Sequence, residues 1–167
     1  RLTKNKSFCS LIVGNGQNIL FEKYAKDFSY NQPQTIMSIT KMFANLFVGE
    51  LLKNKKINLN KNVSYYLPKI GSGYAKAKVQ DILNMNVVNA YTEDYTKAYS
   101  SSFMHEPVGG WRLPKSGQIK LSQEQYLNTI KNIKNRDLKN NSEYALYKSA
   151  NTDVIGLIIE KISGIPL

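Results

Sequence analysis

A single domain combining strands with helices is predicted by three features of the sequence. These are a short hairpin near the start, an apolar stripe of helical period beginning at Ser38, and two further helix signatures in the last third. The length permits it, because 167 residues make one domain by size and can bury a substantial core. Hydrophobic residues at 42% and charged residues at 21% sit near the globular average, which excludes wholesale disorder and a fibrous repeat.

Each element has its own signature. Phe8–Val13 and Ile19–Tyr24 are short apolar, partly β-branched runs around Gly14-Asn-Gly-Gln17, which reads as a β-hairpin. The Gly14-x-Gly16 pair lacks the third glycine and the following helix of a phosphate loop, so it is read as a turn. From Ser38 the period changes. Ile39, Met42, Phe43, Leu46, Phe47 and Leu51 fall at three- and four-residue spacings, and Val48 and Leu52 widen the stripe. The spacing predicts a strongly buried helix, the longest of the chain, that ends in the Lys53–Lys56 cluster.

Val79–Met85 is a second, short helix, and 86–117, with three glycines and two prolines, is a long loop region of the kind that usually carries function. Ser122-Gln-Glu-Gln125 is a capping box that opens an amphipathic helix carrying Tyr126, Leu127, Ile130 and Ile133. A last helix runs from about Thr152 to Ser163, with Val154, Ile155, Ile158, Ile159 and Ile162 inward and Gly164 as its stop. Neither an internal repeat nor a low-complexity tract is present.

Composition narrows the function. No apolar run reaches membrane-spanning length, and no basic-then-apolar leader follows Arg1, so neither a membrane span nor an uncleaved signal peptide is expected. Lone Cys9 and lone His105 supply no intrachain disulfide and no zinc site built from His and Cys. Neither a metal nor a cofactor is expected, and bacterial periplasm and cytoplasm both remain open. The net charge of +11 invites a nucleic-acid partner, but it comes from 20 Lys against 3 Arg, spread along the chain beside 18 Asn. Base and phosphate readers favour Arg forks, so a solvated basic surface is the better reading.

Two groups of residues can do chemistry. In Ser38-Ile-Thr-Lys41 one helical turn sets an amine beside a hydroxyl at a helix start, where free N–H groups favour a developing oxyanion. A lysine base requires enclosure, expected from Met37, Met42 and Phe43. The plain alternative is an N-cap serine with a surface lysine. In Tyr147-Lys-Ser149 a buried hydroxyl beside a lysine can relay a proton, against the default of a core tyrosine. His105 in its irregular loop is rejected as the base of a Ser-His-Asp triad, since a lysine already fills that role. Glu93 and Asp94 are read as a solvated pair, because adjacent residues point apart.

In order, Ser38-x-x-Lys41, Leu59–Val63 leading to Tyr66-Leu-Pro68, Val79-x-x-Ile82-Leu83-x-Met85, and Tyr147-Lys-Ser-Ala-Asn-Thr-Asp153-x-Ile-Gly156 resemble the serine β-lactamase and penicillin-binding-protein superfamily. Within it the chain is most similar to the 6-aminohexanoate-dimer hydrolases and related esterases. Glu93-Asp-Tyr95, Gly110-Trp111, and Ser149 where other branches carry asparagine support that branch.

The resemblance runs from about Phe8 to Leu167 and implies an α/β, β-lactamase-like fold, an antiparallel sheet flanked by helices with a mostly helical insertion. It partitions the chain into strands and approach (1–36), nucleophile helix (37–54), insertion (55–146) and second-motif segment (147–167). It implies a serine hydrolase that cleaves a small amide or ester through an acyl-enzyme. Ser38 is then nucleophile, Lys41 proton acceptor and Tyr147 relay, with Tyr95, Ser149 and Trp111 facing substrate.

The chain departs from the pattern in three places. The family's remaining strands and third motif, Lys-Thr-Gly or equivalent, are expected beyond Gly164-x-Pro166-Leu167. Lys115-Ser-Gly117 precedes Tyr147 and follows Pro114, so it is read as a loop coincidence. Asn86-Val-Val-Asn89 stands where relatives usually carry a glycine. A two-stranded hairpin is marginal alone, so the missing half of the domain, or another copy, is expected to cover its edge. The alternatives are a non-catalytic binding or sensor member or remnant of the same fold and, last, a basic nucleic-acid-binding module.

Overall fold

In the computed structural model, residues 2–117 and 119–166 are described. Arg1 and Leu167, the ends of the expected domain, lie outside them. The chain divides into two compact units, residues 1–38 and residues 39–167.

The first unit is built on the hairpin. β1 (Ser10–Gly14) and β2 (Ile19–Tyr24) pair antiparallel, Ser10 opposite Tyr24 and Val13 opposite Phe21, with an irregularity at Val13/Gly14. The turn works as its composition suggests. The Asn15 side chain accepts from the backbone N–H groups of Gln17 and Asn18, and Gly16 takes φ +91°, which a side chain would disfavour. Ile12, Val13, Ile19, Leu20 and Phe21 are exposed. Among the described residues these are the only two strands that form a sheet, the antiparallel part of the expected architecture.

The second unit is helical. A 3₁₀ turn at Met37–Thr40 leads into α1 (Lys41–Lys53). Short helices follow: α2 (Val63–Tyr66), α3 (Ser72–Ala75), α4 (Val79–Leu83), α5 (Ser101–His105) and α6 (Gln123–Asn128). α7 (Ser149–Ser163) closes the order and stops at Gly164, whose left-handed φ of +72° is the reason a glycine ends it. At α6 the capping box forms in full, with the Ser122 hydroxyl accepting from Gln125 N–H and the Gln125 side chain accepting from Ser122 N–H. No helix among the described residues is long and apolar enough to cross a membrane.

The core gathers around α7, which packs against α1, α2, α4 and α6. Ala150, Val154, Ile155, Ile158 and Ile159 of α7 are buried with Val63, Val79, Ile82, Val87 and Leu127. Tyr74 joins them, its hydroxyl donating to the buried Asn151 side chain at 3.0 Å. At Gly71 a methyl group would stand 2.4 Å from the Ile130 carbonyl oxygen, so the chain there tolerates no side chain.

Four expectations are corrected. α6 ends at Asn128, so Ile130 and Ile133 lie beyond the helix they were expected to line. α7, at 15 residues, is longer than α1, at 13. α7 starts at Ser149 rather than Thr152. And α1 is not strongly buried: Val48 is its one fully buried residue, while Met42, Phe43, Leu46, Phe47 and Leu52 are exposed, Leu46 by 66%. The periodic stripe is real, but α7 covers only the edge of it that holds Val48, Ala44 and Leu51.

The two helices should therefore respond differently to truncation. Ile158→Ala is expected to destabilise the chain by about 2–5 kcal/mol in urea denaturation. Leu46→Gln is expected to change stability by less than about 0.5 kcal/mol. Equal effects would contradict the asymmetry of burial.

Candidate functional site

Ser38 lies inside the 3₁₀ turn that feeds α1 and is exposed. The residue before it, Met37, takes φ +46°, a left-handed conformation that costs a non-glycine residue about 1 kcal/mol or more. Lys41 follows one turn later as the first residue of α1. Met37, Met42 and Phe43 are exposed, so the enclosure expected of them around Lys41 is not formed by these side chains.

Lys41 and Tyr147 are brought together from opposite ends of the sequence. The Lys41 ammonium sits over the Tyr147 ring, 5.6 Å from its centroid, in cation–π geometry. Tyr147 is 45% exposed rather than buried. On its α7 side Lys41 also lines a small cavity with Asn45, Leu83, Met85 and Thr152.

Tyr147 is held in place from both sides in sequence. Before it, Leu146 N–H donates to the Met85 carbonyl at 2.7 Å. After it, Lys148 turns inward, 8% exposed, and its ammonium donates to the carbonyls of Asn89 (3.3 Å) and Tyr91 (2.5 Å). Burial pulls the Lys148 ammonium below its usual range, an effect opposed by the nearby Glu93 carboxylate. The lysine adjacent to Tyr147 thus anchors the 89–91 segment, and the lysine that meets the Tyr147 ring is Lys41.

The next residue binds the same segment. Ser149 opens α7, and its N–H donates to Glu93 Oε2 at 2.9 Å while its hydroxyl donates to Glu93 Oε1 at 2.8 Å. Tyr95 also donates to Glu93 Oε1, and its Oη stands 3.1 Å from Ser149 Oγ. Glu93 is therefore a long-range cap on α7, whose N-cap residue Lys148 offers no side-chain bond, and the carboxylate suits the positive end of the helix. Burial and the bond to Glu93 push the Tyr95 phenol up to about 12.

Glu93 and Asp94 are both half-buried, and Asp94 has partners of its own. It takes bonds from Thr96 and an ion pair with Lys97, which hold its carboxyl down at about 2. The solvated reading of the pair is corrected: both are half-buried, and Glu93 joins Tyr95 to Ser149. Nothing local to Glu93-Asp94 distinguishes the two.

The remaining residues have partners of their own. Trp111 is exposed; its backbone N–H donates to the Glu106 carbonyl and its ring lies 3.2 Å from where a Gly109 side chain would begin, so its described contacts are local. Lys115-Ser-Gly117 forms no strand, with Ser116 and Gly117 in a turn. His105 is buried, stacked on Tyr126 at 4.3 Å, with Nδ1 3.3 Å from the Tyr91 hydroxyl and Nε2 3.5 Å from Asp153 Oδ2. Burial lowers the imidazole and raises the Asp153 carboxyl to about 6; Lys41 opposes the latter shift. Among the described residues no group of three or more His, Cys, Asp or Glu side chains is placed to hold a metal ion.

The Asp153 shift has a sign that can be measured. Its carboxyl binds protons more tightly folded than unfolded, where 3.8 is usual, so the folded state gains protonated population as pH falls. Its contribution to stability therefore declines as pH rises from about 4 to about 6, then stays constant. Urea denaturation against pH should show the native chain losing stability relative to Asp153→Asn across that window. A difference that is flat or rises would contradict the assignment.

No family model matches the chain. A 6-aminohexanoate-dimer hydrolase of Paenarthrobacter ureafaciens is 30% identical over 157 residues, which cover 93% of this chain and 38% of the relative. A solved structure of a Bacillus anthracis protein assigned as a 6-aminohexanoate-dimer hydrolase superposes with a TM-score of 0.71 at 17% identity. That match covers 93% of this chain and 40% of the other. The chain thus spans about two fifths of the length of each, and its fold is that of the corresponding portion.

Proposed function

We propose that these residues form part of a serine hydrolase that cleaves a small amide or ester through an acyl-enzyme on Ser38. The observation that carries the reading is the convergence of Lys41 and Tyr147, the two groups such a reaction needs to move a proton, with Ser38 one turn before Lys41. The identity to the Paenarthrobacter hydrolase over nearly the whole of this chain supports it.

The chemistry follows from the groups. Ser38 Oγ attacks the carbonyl carbon as its proton passes to Lys41 Nζ, acting as general base. The tetrahedral oxyanion collapses, the bond to the leaving nitrogen or oxygen breaks, and that atom takes a proton by way of the Tyr147 hydroxyl. Water then attacks the Ser38 ester by the reverse path and releases the acid. Tyr95 and Ser149 on one wall, and Trp111, contact the substrate.

Residues beyond those present complete the site in this reading. The exposed stripe of α1 and the exposed strands are the surfaces that the other part of the domain, rather than a second copy, covers. That cover supplies the enclosure Lys41 requires and a second oxyanion donor, whose loss costs about 10²–10³ in turnover. A fold of this class that binds without turnover is favoured if the cover is present and Ser38 remains inert.

Intact mass after incubation with a fluorophosphonate or activated ester tests the reading. A version extended to the length of the relatives is expected to gain one adduct, absent in Ser38→Ala, and the 167-residue chain little or none. An extended protein without an adduct would overturn the hydrolase reading. Efficient Ser38-dependent turnover by the short chain would overturn its incompleteness.

A further inference from the structure

We infer that Glu93 is a specificity-determining residue that makes the Tyr95 and Ser149 hydroxyls hydrogen-bond acceptors toward a ligand, so that the group bound there is an N–H donor. The inference deepens the hydrolase reading, because it rests on Tyr95 and Ser149 facing substrate.

The argument is a proton count. The pair owns two O–H protons, and three oxygens lie within reach of one another: Tyr95 Oη, Ser149 Oγ and Glu93 Oε1. Both hydroxyls can donate to the carboxylate oxygen, or one can donate to the other hydroxyl while that one donates to the carboxylate. Either way both protons are committed inside the triangle. Glu93 Oε2 is engaged by the Ser149 N–H, which fixes the carboxylate in its plane. Tyr95 is 54% exposed and Ser149 partly so, so a ligand reaches their oxygens and meets only lone pairs.

Glutamine at this position reverses the polarity. The Ser149 N–H still requires an acceptor, which turns the amide oxygen toward it and the amide NH₂ toward the two hydroxyls. The NH₂ donates to them, and their own protons are released outward. The carboxylate is thus what separates a site for N–H groups from a site for carbonyl or ether oxygens.

The test uses two cations of equal charge, n-hexylammonium, which carries N–H donors, and n-hexyltrimethylammonium, which carries none. Affinities are read from the chemical shifts of ¹³C-labelled tyrosine in the 167-residue chain. The native chain is expected to bind hexylammonium about tenfold more tightly, the factor one charge-assisted hydrogen bond provides, with the shift centred on Tyr95. In Glu93→Gln the ratio falls to about one, and the Tyr95 titration midpoint moves down from about 12.

A ratio that persists in Glu93→Gln would mark a steric preference and overturn the inference, as would equal affinities in the native chain. Should Glu93→Gln unfold, Tyr95→Phe supplies the same test, because it removes one acceptor oxygen and is expected to cut the ratio severalfold; no change would overturn the inference. Binding does not use Ser38, so the ratio is measured on Ser38→Ala as well. Failure of Ser38 labelling then bears on the hydrolase reading and leaves this result standing.

Discussion

Burial of α7 is the constraint on which the second unit depends. Its Ala150, Val154, Ile155, Ile158 and Ile159 are the apolar stripe that α1, α2, α4 and α6 share, and the short helices have no comparable stripe of their own. Helices of four to six residues do not persist in isolation, because a nucleus has to be paid for before any propagation. They are held by what they cover. The first residue of α7 is Ser149 and the two before it are Tyr147 and Lys148, so the element that organises the core also fixes the start of the site.

The second consequence is a seam. Residues 85–93 run beside 146–149 through bonds from Leu146 to Met85, from Lys148 to Asn89 and Tyr91, and from Ser149 to Glu93. Buried Lys148 donates to two carbonyl oxygens, an arrangement that holds as long as those carbonyls do not move. The loop that carries Tyr95 is thereby attached to a rigid helix rather than left to solvent. Tyr147 sits where the seam meets α1, its ring against the Lys41 ammonium.

How far all this was legible depends on how local each cause is. The hairpin, the Ser122–Gln125 box and the Gly164 stop depend on residues within a few positions of one another, and all three formed. The start of α7 was placed three residues late because its cap, Glu93, comes from far away in sequence. The same distance concealed Glu93 itself, since side by side with Asp94 it offered no reason to face inward. The α1 stripe was read correctly as a face and wrongly as a buried one. Periodicity tells which side of a helix is apolar, not whether the covering residues are among those present. Ser38, Lys41 and Tyr147 were visible as motifs, whereas the exposure of Tyr147 and of Met42 and Phe43 was not.

The most direct measurement is the distance between Tyr147 Oη and Ser38 Oγ in a crystal structure of the extended protein carrying a trapped adduct on Ser38. The proton path described above predicts about 3 Å for a direct hydrogen bond, or roughly 5–6 Å with one bridging water. A separation beyond roughly 7 Å, more than one water can bridge, with Lys41 turned away from Ser38, would contradict it.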